Sequence, residues 1–183
     1  MTLSWACALA VLVAVSGCAG DAAVKSSAAP RERRATFART GISITVPAGW
    51  HTAARLTTLS EPRERFTIAS YPLRIATRAN RDCGPTLAVE RIPPDGALAF
   101  AFEYADNRGA RVRAFPDRPA HFGMPIVPAA SYDCFPRGWL VRFRERGRAF
   151  QIMIALGPRS GRNRAVLLRA LDSIKIDATG NEG

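Results

Sequence analysis

Lysine is nearly missing from this chain: Lys25 and Lys175 stand alone, and every other basic residue is arginine. Acidic residues are scarce too, 15 against 26 Lys plus Arg, which leaves a net charge of +11. Such an excess favours anionic surfaces as neighbours, whether nucleic acid, phospholipid or wall polymer. The preference for arginine is what a GC-rich genome produces and needs no selection for guanidinium chemistry. Histidine occurs only at His51 and His121, and no spacing of cysteine, histidine or carboxylate builds a zinc site. The few carboxylates are scattered, so no pair stands out for glycoside hydrolysis. A Gly-x-Ser-x-Gly elbow, a His-Glu-x-x-His pair, a phosphate-binding glycine loop and a dinucleotide fingerprint are all missing. No catalytic, cofactor or metal residue is therefore assigned. A missing motif does not by itself exclude an enzyme, because triads assemble in space.

What is present begins with an uncharged apolar run from Leu3 to Val15, followed by Val15-Ser16-Gly17-Cys18. It is shorter than the ~20 residues a membrane span needs, and it lacks the polar face of a core helix. The segment resembles the signal peptide and lipobox of bacterial lipoproteins, although residues 2 to 10 carry no Lys or Arg where such signals have a positive start. The resemblance implies cleavage before Cys18, a palmitate-labelled lipid on that thiol, and display on the extracytoplasmic face of the cell membrane. An uncleaved anchor is the competing reading. The organisation expected is a signal peptide over 1–17, a flexible tether over 18–36, one globular domain over 37–177 and a disordered tail over 178–183. Export removes nucleic acid as a partner and leaves anionic lipid or wall polymer.

Of the four cysteines, Cys7 falls in the signal and Cys18 is the lipid site. Cys83 and Cys134 remain, and in an oxidising compartment two such residues read as one disulfide. Closing that loop would stabilise by roughly 4 kcal/mol. Two separate buried thiols are the alternative.

Within the domain, Ile42, Ile44 and Val46 alternate with polar residues as a half-buried strand, stopped by Pro47 before a turn that seats Trp50 in the core. Residues 66–71 form a second strand and 85–91 a short helix. From Ala97 to Tyr104 large residues face one way and alanines the other, the pattern of a strand covered on both sides with a helix close over its small face. Residues 105–130 read as a long irregular excursion, of a kind that often carries function. Arg146-Gly147 joins two alternating arms as a two-residue hairpin. Pairing Glu145 with Arg148 sets Phe143 opposite Phe150, Val141 opposite Ile152 and Trp139 opposite Ile154, all on one face. Arg164 to Leu171 has helical spacing, after a basic loop over 158–164, and residues 173–176 close as a strand.

Strands therefore dominate, giving an α+β fold: a mostly antiparallel sheet with one or two covering helices. The opening strand with its Pro-x-Gly-Trp turn, and the closing helix with Asp172-Ser173-Ile174-Lys175-Ile176, resemble the PsbP-like α/β/α sandwich seen in extracytoplasmic binding and assembly subunits. That resemblance informs fold and transfers no functional residue. Arg142 and Arg144, on the face opposite the core, with Arg146 and Arg148 at the turn, form the candidate anion-binding surface. Arg108, Arg111, Arg113 and Arg118 crowd the long excursion, and Arg159, Arg162 and Arg164 precede the last helix. Non-catalytic binding of a partner or envelope component is the preferred reading. A small extracytoplasmic hydrolase using His51 or His121 is the alternative, decided by whether either histidine sits in a pocket with Ser and Asp.

Overall fold

The computed structural model describes residues 31–54, 62–73, 85–104, 110–124 and 138–178. The signal peptide, Cys18, Cys83, Cys134, Arg108 and the residues of the tail beyond 178 lie outside them, as do the lipidation and disulfide expectations. Two antiparallel sheets and three helices make up the described residues, and the fold is α+β. No helix among them is long and apolar enough to cross a membrane.

The smaller sheet has the order β1-β2-β8, from Arg33–Phe37, Ile42–Val46 and Lys175–Ile176. Strand β1 corrects the expected tether at its end: residues 33–36, assigned to it, belong to a strand. Ala35 pairs with Ile44 and Phe37 with Ile42, so backbone bonding to β2 and two inward side chains suffice to fix five residues despite Arg33 and Arg34. The larger sheet has the order β3-β4-β5-β7-β6, from His51–Ala53, Arg63–Ala69, Ala97–Tyr104, Arg148–Leu156 and Trp139–Glu145.

The β6–β7 hairpin has the register expected from its turn. Glu145 pairs with Arg148, Phe143 with Phe150, Val141 with Ile152 and Trp139 with Ile154. Arg146 and Gly147 have φ of 51° and 75°, the two positive values that a type I′ turn demands. The Phe143 and Phe150 rings stack at 5.2 Å, and Phe122 meets Phe143 edge-on at 5.4 Å.

Each face of the larger sheet has its own cover. One face carries Ala97, Ala99, Ala101, Phe143, Phe150, Ile152 and Ile154, packed against β2 and the helix α3, Gly161–Asp172, through Leu167, Ala170 and Leu171. Small residues on β5 let that helix approach, as its alternation implies. The other face carries Leu98, Phe100, Phe102 and Met153 under Tyr71 and Val89, the latter from α1, Thr86–Glu90. Because both faces are covered, Gln151 is not on the solvent side: it is 0% exposed, and its Oε1 accepts from Tyr104 Oη and Arg142 Nε. Its Nε2 has no partner among the described residues.

The long excursion contains one helical turn, α2, Ala110–Ala114. It continues as a strap along the edge of β6, where Asp117 bridges Arg144 in parallel. The strap occupies a sheet edge that would otherwise stand open. Its Phe122 N–H donates to Asp172 Oδ1 at 2.7 Å, which ties it to the end of α3.

Candidate anion-binding site

The hairpin arginines do not form one surface. Arg146 and Arg142 are exposed, the latter donating to Gln151. Arg144 Nε donates to Asp117 Oδ1 at 2.7 Å, and the paired guanidinium holds that carboxyl below the usual range. Arg148 is only 7% exposed and corrects the expectation of a turn arginine facing solvent. It shares a face with Phe150, stacks over that ring at 5.1 Å, and grips Glu103 with Nε at 2.8 Å and Nη2 at 2.6 Å. Arg65, the extra residue of a β-bulge in β4, pairs with the same carboxylate, its Nε 2.6 Å from Glu103 Oε2. Arg148 also donates to the carbonyls of Thr40 and Asp177, so it clamps the smaller sheet to the larger. The cluster is a buried structural bridge with no open side for a ligand.

Arg118 is equally occupied. Its Nη1 donates to Glu145 Oε2 and Ile174 O, and its Nη2 to Asp172 O, so it satisfies carbonyls left over at the C-terminus of α3. A cation there also complements the helix dipole. Neither histidine forms an enclosed site among the described residues. His51 is exposed on β3. His121 is 87% exposed, with Nδ1 3.3 Å from Asp172 Oδ2, and the neighbouring Ser173 hydroxyl already donates to Ala170 O. Among the described residues no group of three or more His, Cys, Asp or Glu could hold a metal.

The opposite end of α3 differs in every respect. A cleft of about 440 Å³ opens there, lined by Trp139, Leu156, Gly157, Pro158, Arg159, Ser160, Gly161 and Arg164. Helix α3 starts at Gly161, three residues before the expected start, so Arg162 lies in its first turn rather than in a loop. The loop before it is pinned from behind: Gly157 N–H donates to Gly96 O, Arg159 N–H to Pro94 O, and Asn163 Nδ2 to Asp95 O. A Cβ on Gly157 would collide with the carbonyls of Pro93 and Pro94, so only glycine allows this approach. The turn 93–96 thereby fixes where α3 begins.

Electrostatically this end is one-sided. The first turn of α3 has no acidic residue, and Ser160 at the N-cap makes no side-chain capping bond. The N–H groups of Gly161, Arg162 and Asn163 have no acceptor among the described residues. Arg159, Arg162 and Arg164 are exposed, and none has a side-chain hydrogen bond or ion pair among the described residues. Cations are unfavourable at a helix N-terminus, where the dipole is positive and anions gain ~0.3–1 kcal/mol. Sequence reasoning named these three arginines but gave priority to the hairpin set; the signal that could have found them was Pro158 to Asn163, a helix start without an acid. Comparison of the chain with protein families, curated proteins and solved structures finds no match.

Proposed function

We propose that this chain is an exported lipoprotein, anchored in the cell membrane through a lipid on Cys18, whose domain binds an anionic envelope component without catalysis. Support for the anchor lies in the apolar run and the Val15-Ser16-Gly17-Cys18 sequence. A disulfide between Cys83 and Cys134 belongs to the same proposal. Binding rests on one observation: Arg159 and Arg164 line a cleft and, with Arg162 in the first turn of α3, have no ion pair among the described residues, whereas Arg65, Arg118, Arg144 and Arg148 are paired with carboxylates. Guanidinium groups suit phosphate and carboxylate oxygens. Anionic lipid and wall polymer are the envelope components that carry such groups.

Cosedimentation of the full chain with purified anionic envelope material tests the binding. Retention should fall with added salt and should be lost in the Arg159→Gln, Arg162→Gln, Arg164→Gln triple variant. Unchanged retention in that variant removes the cleft from the reading. For the anchor, palmitate labelling should vanish in Cys18→Ala; labelling that persists rejects the lipid site.

A further inference from the structure

We propose that the outward face of the smaller sheet lies on the bilayer, with Arg34 and Lys175 among the headgroups of anionic phospholipid and Arg33 at the rim. The proposal rests on the anchoring part of the reading above and does not use the cleft. Strands β1, β2 and β8 turn Ala35, Ile42, Ile44 and Ile176 into the core. By alternation Arg34, Thr36, Ser43, Thr45 and Lys175 stand on the other side. Arg34, Thr36 and Lys175 are exposed, Ser43 and Thr45 half-buried, and none of the five is acidic. Glu32 and Asp177, exposed at the margins, form no ion pair with these cations among the described residues.

The placing of the cations points to an anion. Arg34 folds back over the sheet, its Nη2 and Nε donating to Ser43 Oγ at 2.7 and 3.1 Å. Ser43 in turn pairs with Lys175 of the next strand. Two cations therefore flank one hydroxyl, on strands each ~4.8 Å from the middle one. Like charges at such cross-strand positions oppose folding, and an anion lying over the serine relieves them. A phospholipid phosphate does so, because its oxygens accept from guanidinium and ammonium together. Arg33, just before them, reaches only the Thr52 hydroxyl, at 3.4 Å.

Position favours a membrane over other polyanions. Arg33 follows Cys18 by fifteen residues, so even a fully extended chain keeps β1 within ~50 Å of the lipid on that cysteine. An anionic leaflet then raises affinity about fivefold for each Arg or Lys near it, within a Debye length of ~8 Å. The cleft lies at the far end of α3, a helix roughly 18 Å long that leads into β8. The two surfaces are thus separate.

Lysine occurs only at Lys25 and Lys175, which makes amine acylation a direct readout. The full chain, purified from membranes in detergent, is reconstituted into vesicles of phosphatidylcholine with or without phosphatidylglycerol and briefly acylated. Mass spectrometry reads Lys175, which should react about fivefold more slowly on the anionic vesicles, a difference that high salt removes. The Arg33→Gln, Arg34→Gln double variant should lose the protection. Arg34→Lys, which keeps the charge, should retain it, as should Arg91→Gln at the end of α1 on the opposite cover. Equal reaction on both vesicles overturns the proposal, and so does protection that survives the double variant. Loss of protection in Arg34→Lys as complete as in the double variant does the same, because charge is then not its cause. Protection by soluble wall polymer with none on vesicles assigns the face to the polymer and overturns it too. Palmitate labelling reads the anchor by itself: protection on anionic vesicles in a chain that takes no label keeps this face and removes the lipid on Cys18. The cleft is tested apart, by cosedimentation with wall polymer in the absence of lipid.

Discussion

Glu103→Gln removes one charge and almost no volume, so the stability it loses measures electrostatics rather than packing. Glu103 is 7% exposed, between guanidiniums of Arg65 and Arg148 whose side chains are 11% and 8% exposed. With the carboxylate gone, two buried like charges face each other across a neutral amide. Breaking a buried ion pair by removing one partner costs ~3–5 kcal/mol, because the surviving charge is left without compensation. The Gln carbonyl can still accept one N–H, and Arg148 keeps the carbonyls of Thr40 and Asp177. A loss near the lower bound, about 3 kcal/mol, is therefore expected. For a domain of this size that corresponds to a fall in Tm of roughly 10 °C. Urea denaturation followed by circular dichroism, parent against variant at pH 7, reads it directly. A loss below about 1 kcal/mol would match a solvated surface pair and would refute the buried bridge. The Arg65→Met, Glu103→Leu, Arg148→Met triple variant checks the reasoning from the other side. It should lose much less than the sum of its single changes, but not nothing, since two backbone carbonyls lose their donor.

Three further outcomes follow from the packing. Phe150→Ala should cost ~3–5 kcal/mol, and Gln151→Ala a further ~1–3 kcal/mol in its own right, since it strips the acceptor from Tyr104 and Arg142; a negligible loss at Gln151 in chemical denaturation would mean that its face is wet. Gly157→Ala should destabilise by ~3 kcal/mol, at the upper end for overpacking, because its Cβ meets backbone carbonyls, whereas Gly161→Ala should leave the thermal midpoint unchanged or raise it. Burial pushes the Tyr71 phenol well above its ordinary range, so its contribution is intact below pH ~10 and is lost as pH rises beyond that. Urea midpoints measured from neutral to alkaline pH should accordingly fall less steeply in Tyr71→Phe, which starts ~1 kcal/mol lower for want of the bond to Ala88 O; parallel curves would refute this.

The hairpin was legible because two independent local signals agreed. A two-residue turn dictates a register, and the apolar residues of both arms fall on one face only in that register. The two-sided cover of β5 was legible for a similar reason, since large side chains and alanines alternate along it. What could not be read was the identity of the second cover. Gln151 and Arg148 are polar residues in an alternating strand, and polarity reads as exposure until distant segments are placed above them. Gln151 lies beside Tyr104 and Arg142, both of which donate to it, and Arg148 beneath carbonyls from Thr40 and Asp177. Strand β1 escaped for want of apolar content, because its order comes from backbone pairing with β2. The early start of α3 escaped because Gly161, Arg162 and Asn163 add nothing to its apolar stripe of Leu167, Ala170 and Leu171.

That last miss bears on function more than the others. A sequence shows how many arginines exceed the acids, but only the fold decides where the excess is left. Glu103, Glu145 and Asp117 are consumed at the turn end of the larger sheet, two of them by arginines that no local pattern distinguishes from their neighbours. Asp172 holds the strap at the C-terminus of α3, where Arg118 takes up the carbonyls. The register fixes the direction: Glu145 and Arg148 mark that end of the hairpin, and Trp139 and Ile154 approach the other. Three of the arginines outside these pairs, Arg159, Arg162 and Arg164, stand at the N-terminus of α3, the end of that helix where its own dipole disfavours cations. Nothing in the packing of Leu167, Ala170 and Leu171 requires arginine at 159, 162 or 164. Neutral residues there would relieve the repulsion and lengthen the list of stabilising changes. Arg164→Gln should for that reason leave urea stability equal or higher, and a loss of stability in that variant would show that the arginine serves the fold instead.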